Sequence, residues 1–202
     1  MQRELRPVST EYDPDLSDWD DRCLVEGLRR GDSRVTAYVV AQFAPALYRF
    51  TYYQVRDAQL AEDIVSEVMV RMIEHVERFV LHQAPFRAWL FRIARNLIAD
   101  HYRTRKRRAS TSLEEWLDTN REREPGCSDA HIDIMLDRDR LRAGLLLLTC
   151  EQREVILLHV VEGWELPEIA RLLDRSLASV KGLYYRGIES LRRGLERSQG
   201  QD

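Results

Sequence analysis

Cysteine, proline and glycine are all scarce in this chain, which has 3 Cys, 6 Pro and 9 Gly among 202 residues. Cys23, Cys127 and Cys150 stand far apart, with no CxxC and no Cys/His cluster at zinc-ligand spacing. That excludes a disulfide framework and a structural zinc site, and leaves free or buried thiols in a reducing compartment. The shortage of Gly and Pro, beside 32% charged residues, disfavours a turn-rich all-β fold. Long apolar runs are missing too: a stretch such as Leu145 to Leu148 is far below the roughly 20 residues of a membrane span. The first residues carry Glu4, Glu11, Asp13, Asp15, Asp18 and Asp20 and no apolar signal region, so the expectation is a soluble, cytoplasmic protein without membrane insertion. A surplus of positive charge is also lacking. The net charge of −3 excludes a polycation that coats nucleic acid, so any DNA contact must come from local patches.

What the chain does have is helical periodicity. Residues 1–20 read as a disordered acidic lead. Leu24, Leu28, Val35, Tyr38, Val39, Phe43, Leu47 and Phe50 then recur at three- and four-residue steps. A break is expected over Asp57 to Ala61, followed by an amphipathic helix from Asp63 to Phe79 with Ile64, Val68, Ile73 and Val76 inward and Met69 and Met72 beside them. Pro85 suits the start of a further helix. After Arg108 the period collapses into a stretch rich in Ser, Thr, Asp and Glu, expected to be a flexible linker with a helical turn near Leu113 to Leu117. Helices return over Leu136 to Leu148, Cys150 to Val161, Leu166 to Leu173 and Leu177 to Glu196. No segment alternates as a strand does. The expectation is an all-α chain of two small helical domains, 21–108 and 136–198, on a tether at 109–135.

The segment "ELPEIARLLDRSLASVKGLYYRGIESLRR" is laid out as a helix-turn-helix. Ile169, Ala170 and Leu173 face inward, Asp174-Arg175-Ser176 forms the turn, and Ser176 is placed to cap the next helix. Val180, Tyr184, Gly187 and Leu191 form its buried stripe. Ser179, Lys181, Gly182, Tyr185 and Arg186 remain on the half that meets base edges and phosphates in a DNA reader. A plain helical hairpin with a solvated basic face would share the polar stripe. The tight turn, the small Ala170 and the length of the second helix favour the reader.

The stretch "FRAWLFRIARNLIADHYRTRKRR" separates into stripes at about 100° per residue. Phe86, Leu90, Ile93, Ala94 and Leu97 make a core face. Trp89, Arg92, Asn96, Asp100 and Arg103 lie on an adjacent stripe, and Phe91, Arg95 and Tyr102 on a third. An aromatic plane, guanidinium groups and amide and carboxylate acceptors on one rigid element suit phosphates and exposed bases. Arg103, Arg105, Lys106, Arg107 and Arg108 add local positive charge. Trp89 could equally cap the core, and a basic run at a helix C-terminus also suits the helix dipole.

These residues resemble the region 2.3–2.4 helix of extracytoplasmic-function (ECF) sigma factors, the small promoter-specificity subunits of bacterial RNA polymerase in the sigma-70 family. "DAQLAEDIVSEVMVRMIEHV" resembles their region 2.2, and the segment from Leu145 to Arg193 is similar to region 4. The resemblance implies a non-catalytic subunit without cofactor or metal, whose partners are core polymerase (clamp helices of the largest subunit, and flap), promoter DNA and in many members an anti-sigma factor. Asp63, Glu67 and Met69 would contact polymerase. Trp89, Arg92, Asn96, Asp100, Arg103 and Arg105 would handle the minus-ten element, with a flipped base held partly by the loop "VLHQAP". Ser179, Lys181, Gly182, Tyr185 and Arg186 would read the minus-thirty-five element.

Two other classes compete. The C-terminal segment also looks like a LuxR-type output domain, which would make the chain a stand-alone regulator, but such a protein has a receiver or ligand domain in front. An enzyme would have to use the scattered His75, His82, His101, His131 and His159. No HExxH, HD pair, P-loop or nucleophile elbow accompanies them.

Overall fold

The structure, a computed structural model, describes residues 20–81, 84–109 and 144–199, the side chains of 106–109 and 194–199 excepted. The acidic lead before Asp20, the 110–135 linker with its expected turn, and the beginning of the C-terminal domain at 136–143 lie outside the described residues, as do His82, Gln83, Cys127 and His131. Everything regular among the described residues is helical, with no strand.

The N-terminal unit comprises α1 (Asp21–Arg29), α2 (Ser33–Val55), α3 (Ala58–His75) and α4 (Phe86–Ala109). Three aspartates start its first three helices. Asp20 accepts from the Cys23 N–H at 2.8 Å, Asp32 from Arg34 at 2.8 Å and Asp57 from Leu60 at 3.0 Å. Each such cap stabilises a helix by about 1 kcal/mol. The expected break at 57–61 is thereby shortened. Arg56 turns the chain in the left-handed region at φ 59°, Asp57 caps, and α3 begins at Ala58 rather than Asp63. Ala61, Ile64, Val65, Val68 and Met72 face the core, and Val76 is buried in the 3₁₀ turn Val76–Arg78 that follows. Ile73, expected inward, is 55% exposed. At about 100° per residue it stands roughly 900° from Ile64, half a turn off the core direction.

The start of α4 is capped from a distance: its Phe86 N–H donates to the Asp21 carboxylate of α1 at 2.7 Å. Phe86, Leu90 and Ala94 are fully buried, and Phe43 and Phe79 meet the Phe86 ring edge-on at 5.7 and 5.9 Å. Ile93 and Leu97, assigned to the same face, are half-buried at its margin.

In the C-terminal unit a helical turn at 144–146 precedes α5 (Cys150–Ile156), whose Thr149 and Gln152 form a reciprocal capping box. A π-helical stretch, Leu157–Val161, completes the expected Cys150–Val161 helix. Then come α6 (Leu166–Leu173) and α7 (Leu177–Gln199), close to the boundaries read from periodicity. Arg153 is buried, yet its guanidinium donates to the carbonyls of Leu145 (2.9 Å) and Leu148 (3.1 Å). A buried charge is tolerated here because it satisfies carbonyls that a helix end leaves open. Gly187 lets α7 approach α5, since a Cβ there would stand 2.6 Å from Ile156 Cδ1.

The two units are not held apart. Trp164, 1% exposed, packs on Phe91 of α4 with ring centroids 5.1 Å apart, and Arg87 lies 4.2 Å over the same indole. Arg49 of α2 forms a two-pronged ion pair with Glu162 (3.0 and 2.9 Å), Arg87 pairs with Glu168 at 3.5 Å, and Arg95 pairs with Glu154. The two helical domains expected on either side of a linker are both present, and they pack against each other. Phe91 and Arg95 of the third stripe of α4 meet the C-terminal unit, whereas Tyr102 is 41% exposed and donates to the Gln54 carbonyl of α2 at 2.9 Å.

Two outcomes test this packing. Gly27 faces Val35, whose Cβ would be 3.0 Å and Cγ2 2.4 Å from an added methyl, so Gly27→Ala forces α1 from α2. A loss of about 1–3 kcal/mol is expected in urea unfolding. Burial, partly offset by Arg95, raises the Glu154 pKa above its ordinary 4.5. The folded chain then binds this proton before the unfolded chain does, so the contribution of Glu154 to stability grows as pH falls from its folded pKa towards 4.5 and is lost as pH rises through the folded pKa. The stability of the native protein relative to Glu154→Gln should rise over that window in a pH series of thermal melts.

Candidate nucleic-acid and polymerase interfaces

With Phe86, Leu90 and Ala94 fixed inward, α4 must turn its second stripe to solvent. Arg92, Asn96, Asp100, Arg103 and Arg105 are all exposed. Arg103 and Asp100 form an ion pair, with side chains 72% and 55% exposed, so it is easily exchanged for a ligand. Trp89 has two roles. Its ring is half-buried, stacked on Phe79 at 4.7 Å and tilted against Phe86 at 5.8 Å, and its orientation is therefore set by the core beneath it. The structure thus brings Trp89, Arg92, Asn96, Asp100 and Arg103 of the expected minus-ten set onto one ridge, while Arg105 stands about 160° round the helix from Trp89 and lies off it. The side chains of Lys106, Arg107 and Arg108 lie outside the described residues.

The loop before α4 is braced by α1. Arg29 donates to the carbonyls of Val76 (3.2 Å), Glu77 (3.4 Å) and Phe79 (2.7 Å), and Asp21 takes the Phe86 N–H beyond it. Within the loop Val80 is exposed and Leu81 and Ala84 are half-buried. Neither Asp21 nor Arg29 was singled out from sequence, because bonds to backbone 47 to 65 residues away leave no periodic trace.

The helix-turn-helix forms as its sequence predicts. Asp174 ends α6 at φ 52°, Arg175 N–H reaches back to the Ala170 carbonyl at 3.0 Å, and Ser176 Oγ accepts from Ser179 N–H at 3.2 Å. Ile169, Ala170, Leu173, Val180 and Gly187 are buried, and Tyr184 and Leu191 are half-buried. Leu183 joins them at 5% exposure, a position the periodic reading left out. Lys181, Tyr185 and Arg186 face solvent, Tyr185 at 65%, while Ser179 and Gly182 are half-buried. Gly182 has a visible use: a Cβ there would sit 3.1 Å from Arg186 Nη1, so its absence gives the guanidinium room along the helix.

On α3, Asp63 is exposed and accepts from Gln59 at 3.2 Å. Glu67 is paired with Arg71 at 2.7 Å, and Met69 is half-buried against the core. Beside them Val70 and Ile73 are 49% and 55% exposed. An open cleft of about 530 Å³ between α2 and α3, lined by Val40, Ala44, Tyr48, Val65 and Ser66 among others, continues that apolar strip. Sequence reading missed this surface because it took Ile73 for a core residue. Among the described residues no set of three His, Cys, Asp or Glu is placed to hold a metal ion. His159 is occupied structurally, its Nδ1 lying 2.6 Å from the Trp164 carbonyl. No described helix is long and apolar enough to cross a membrane.

A helical module ending in a basic ridge beside the half-buried Trp89, joined to a helix-turn-helix, is the architecture of a helical DNA-binding protein. The family models described as Sigma-70 region 2 and Sigma-70, region 4 match residues 39–108 and 138–191. The chain is 32% identical over 171 residues to the ECF RNA polymerase sigma factor BldN of Streptomyces coelicolor, covering 84% of this chain and 64% of that one. It is 29% identical over 172 residues to ECF sigma factor SigL of Mycobacterium tuberculosis, covering 85% of this chain and 95% of that one. Among solved structures it is similar to CnrH in complex with the cytosolic domain of CnrY, with TM-score 0.67 and 26% identity, covering 88% of this chain and 97% of that one. The chain belongs to the sigma-70 family as an extracytoplasmic-function sigma factor, the kind of subunit that directs RNA polymerase to begin transcription.

Proposed function

We propose that the chain docks on core RNA polymerase through α3 and then uses α4 and α7 on the two promoter elements, without catalysing any bond change itself. The observation that carries this reading is the ridge of half-buried Trp89 and exposed Arg92, Asn96, Asp100 and Arg103 on a helix whose Phe86, Leu90 and Ala94 are fully buried. Trp89, held in plane by Phe79, offers a stacking surface for an unpaired base, and Arg92, Arg103 and Arg105 offer charge to the strand beside it. Asn96 and Asp100 supply acceptors for base edges. Melting is then driven by binding, because only an unstacked base can reach the ring. Ser179, Lys181, Gly182, Tyr185 and Arg186 read the minus-thirty-five element from the N-terminal half of α7. Asp63 and Glu67, flanked by Met69, Val70 and Ile73, give α3 an acidic rim around an apolar strip for the polymerase clamp.

The site of action is the cytoplasm, where polymerase is. An anti-sigma factor is a further partner of this chain; CnrH, which shares its arrangement of helices, was solved with the cytosolic domain of CnrY. The stand-alone regulator reading is not favoured, since residues 39–108 match sigma region 2 and not a receiver or ligand domain.

Two experiments bear on the roles. Labelled protein titrated with core polymerase should bind saturably, and Asp63→Lys with Glu67→Lys should weaken binding at least tenfold while leaving the helical circular dichroism unchanged. Unaltered affinity would remove α3 from the interface. For promoter binding by the holoenzyme, Arg92→Ala and Arg103→Ala should each flatten the log-log salt dependence by about 0.7–0.9 if the side chain holds a phosphate.

A further inference from the structure

Trp89 does not choose its own plane. Three rings close a triangle, with centroids 4.7 Å apart for Phe79 and Trp89, 5.8 Å for Phe86 and Trp89, and 5.9 Å for Phe79 and Phe86. Phe86 and Trp89 are three residues apart on α4, so helix geometry alone brings them together. Phe79 comes from outside that helix, in extended backbone (φ −70°, ψ 131°) just after the 3₁₀ turn. Its ring is nevertheless the one that lies closest to parallel with the indole, at 30° against 49° for Phe86. Whatever fixes the backbone at Phe79 therefore sets the tilt of Trp89.

Two side chains of α1 do so. Arg29 spreads its guanidinium over the end of the 3₁₀ turn, Nε donating to the Val76 carbonyl and Nη2 shared between those of Glu77 and Phe79. The bond to Phe79 is the shortest of the three, at 2.7 Å. The last carbonyls of a helical turn have no partner within it, and a planar fork holds several of them in one geometry where a single ammonium does not. The Glu77 carboxylate, 3.9 Å from Arg29 and 70% exposed, adds little. Asp21 holds the backbone under the other flanking ring, through the Phe86 N–H. Leu24, Val25 and Leu28 bury α1 in the core between these two residues. Both rings beside Trp89 thus hang by their main chain from one anchored helix.

We propose that Arg29 and Asp21 are positioning residues for promoter melting: acting through the backbone of Phe79 and Phe86, they hold the Trp89 indole in the plane on which an unpaired base stacks. The proposal rests on the stacking role assigned to Trp89 above. An extruded base gives up its neighbours in the duplex and recovers that loss on the ring. A ring left free to tilt must first be ordered, and that cost is subtracted from binding. Loss of the bracket therefore weakens melting, and leaves both docking on polymerase and recognition by α7 in place.

The first arm reads the ring itself. The full chain labelled with 5-fluorotryptophan gives fluorine resonances for Trp19, Trp89, Trp116 and Trp164, and Trp89→Phe assigns that of Trp89. Arg29→Met, which keeps the aliphatic stem and removes the donors, should shift and broaden the Trp89 resonance while that of buried Trp164 stays in place as the control for folding. Asp21→Asn, whose amide oxygen still accepts, should move it less than Asp21→Ala. The second arm uses holoenzyme and a duplex that the native holoenzyme selects from a random pool, with 2-aminopurine placed in its minus-ten element to report unstacking. Trp89→Ala should lower melting about five- to hundredfold, the range of one lost base–aromatic stack, and Arg29→Met about three- to tenfold. In the Trp89→Ala background, Arg29→Met should change melting by less than about twofold, because a residue that acts through the ring has nothing left to position. A Trp89 resonance that Arg29→Met leaves unmoved, or effects that simply add in the double variant, would overturn the bracket. Native melting by Trp89→Ala would overturn the stacking reading, and the proposal with it. The ring measurement needs no DNA, so it tells these two failures apart.

Discussion

The burial of Phe86, Leu90 and Ala94 commits every other face of α4. A helix fixed along one side by a fully buried stripe cannot roll, so the residues about 100° to either side are held at set angles to one another. One neighbour stripe, Trp89 to Arg103, is left in solvent. The other, Arg87, Phe91 and Arg95, receives the C-terminal unit. The core stripe is in turn fixed by Phe43, Phe79 and the Asp21 cap, so three other segments of the N-terminal unit converge on the orientation of one helix. The physical logic is that of a rigid rod with three assigned sides.

Much of this was legible along the chain because it is periodic. The core residues of α4, the helix-turn-helix with its Ser176 cap and Asp174 turn, and the exposed ridge all follow from spacing and residue type at short range. The resemblance to ECF sigma factors added the assignment of surfaces to partners. What failed was of two kinds. Asp57 acted as a cap and not as part of a break, and Ile73 fell half a turn off the core. Both are errors of phase, in which an apolar residue or a turn signal was counted without the angle it makes.

The second kind could not be read at all. Arg49–Glu162 joins residues 113 apart and Arg95–Glu154 joins residues 59 apart, and neither partner stands out among 31 basic and 34 acidic residues. Trp164 carried the clearest available signal, a large aromatic in an otherwise charged "EGWE". Its neighbour Gly163 has φ +69°, which turns the chain so that the indole is directed into the body instead of along the π-helical segment before it. Charge pairs across a domain boundary depend on tertiary placement, and sequence spacing does not encode it.

The brace supplied by α1 has a consequence for where this functional unit begins. The region 2 match starts at residue 39, inside α2, and every residue of the exposed α4 ridge lies downstream of it. Yet the two ends of the loop that leads into α4 are held by Asp21 and Arg29, upstream of it. A fragment trimmed to the matched boundaries would keep the whole chemical inventory and lose the clamp on both ends of that loop. The smallest piece that carries the ridge in its proper setting therefore begins with the cap at Asp20.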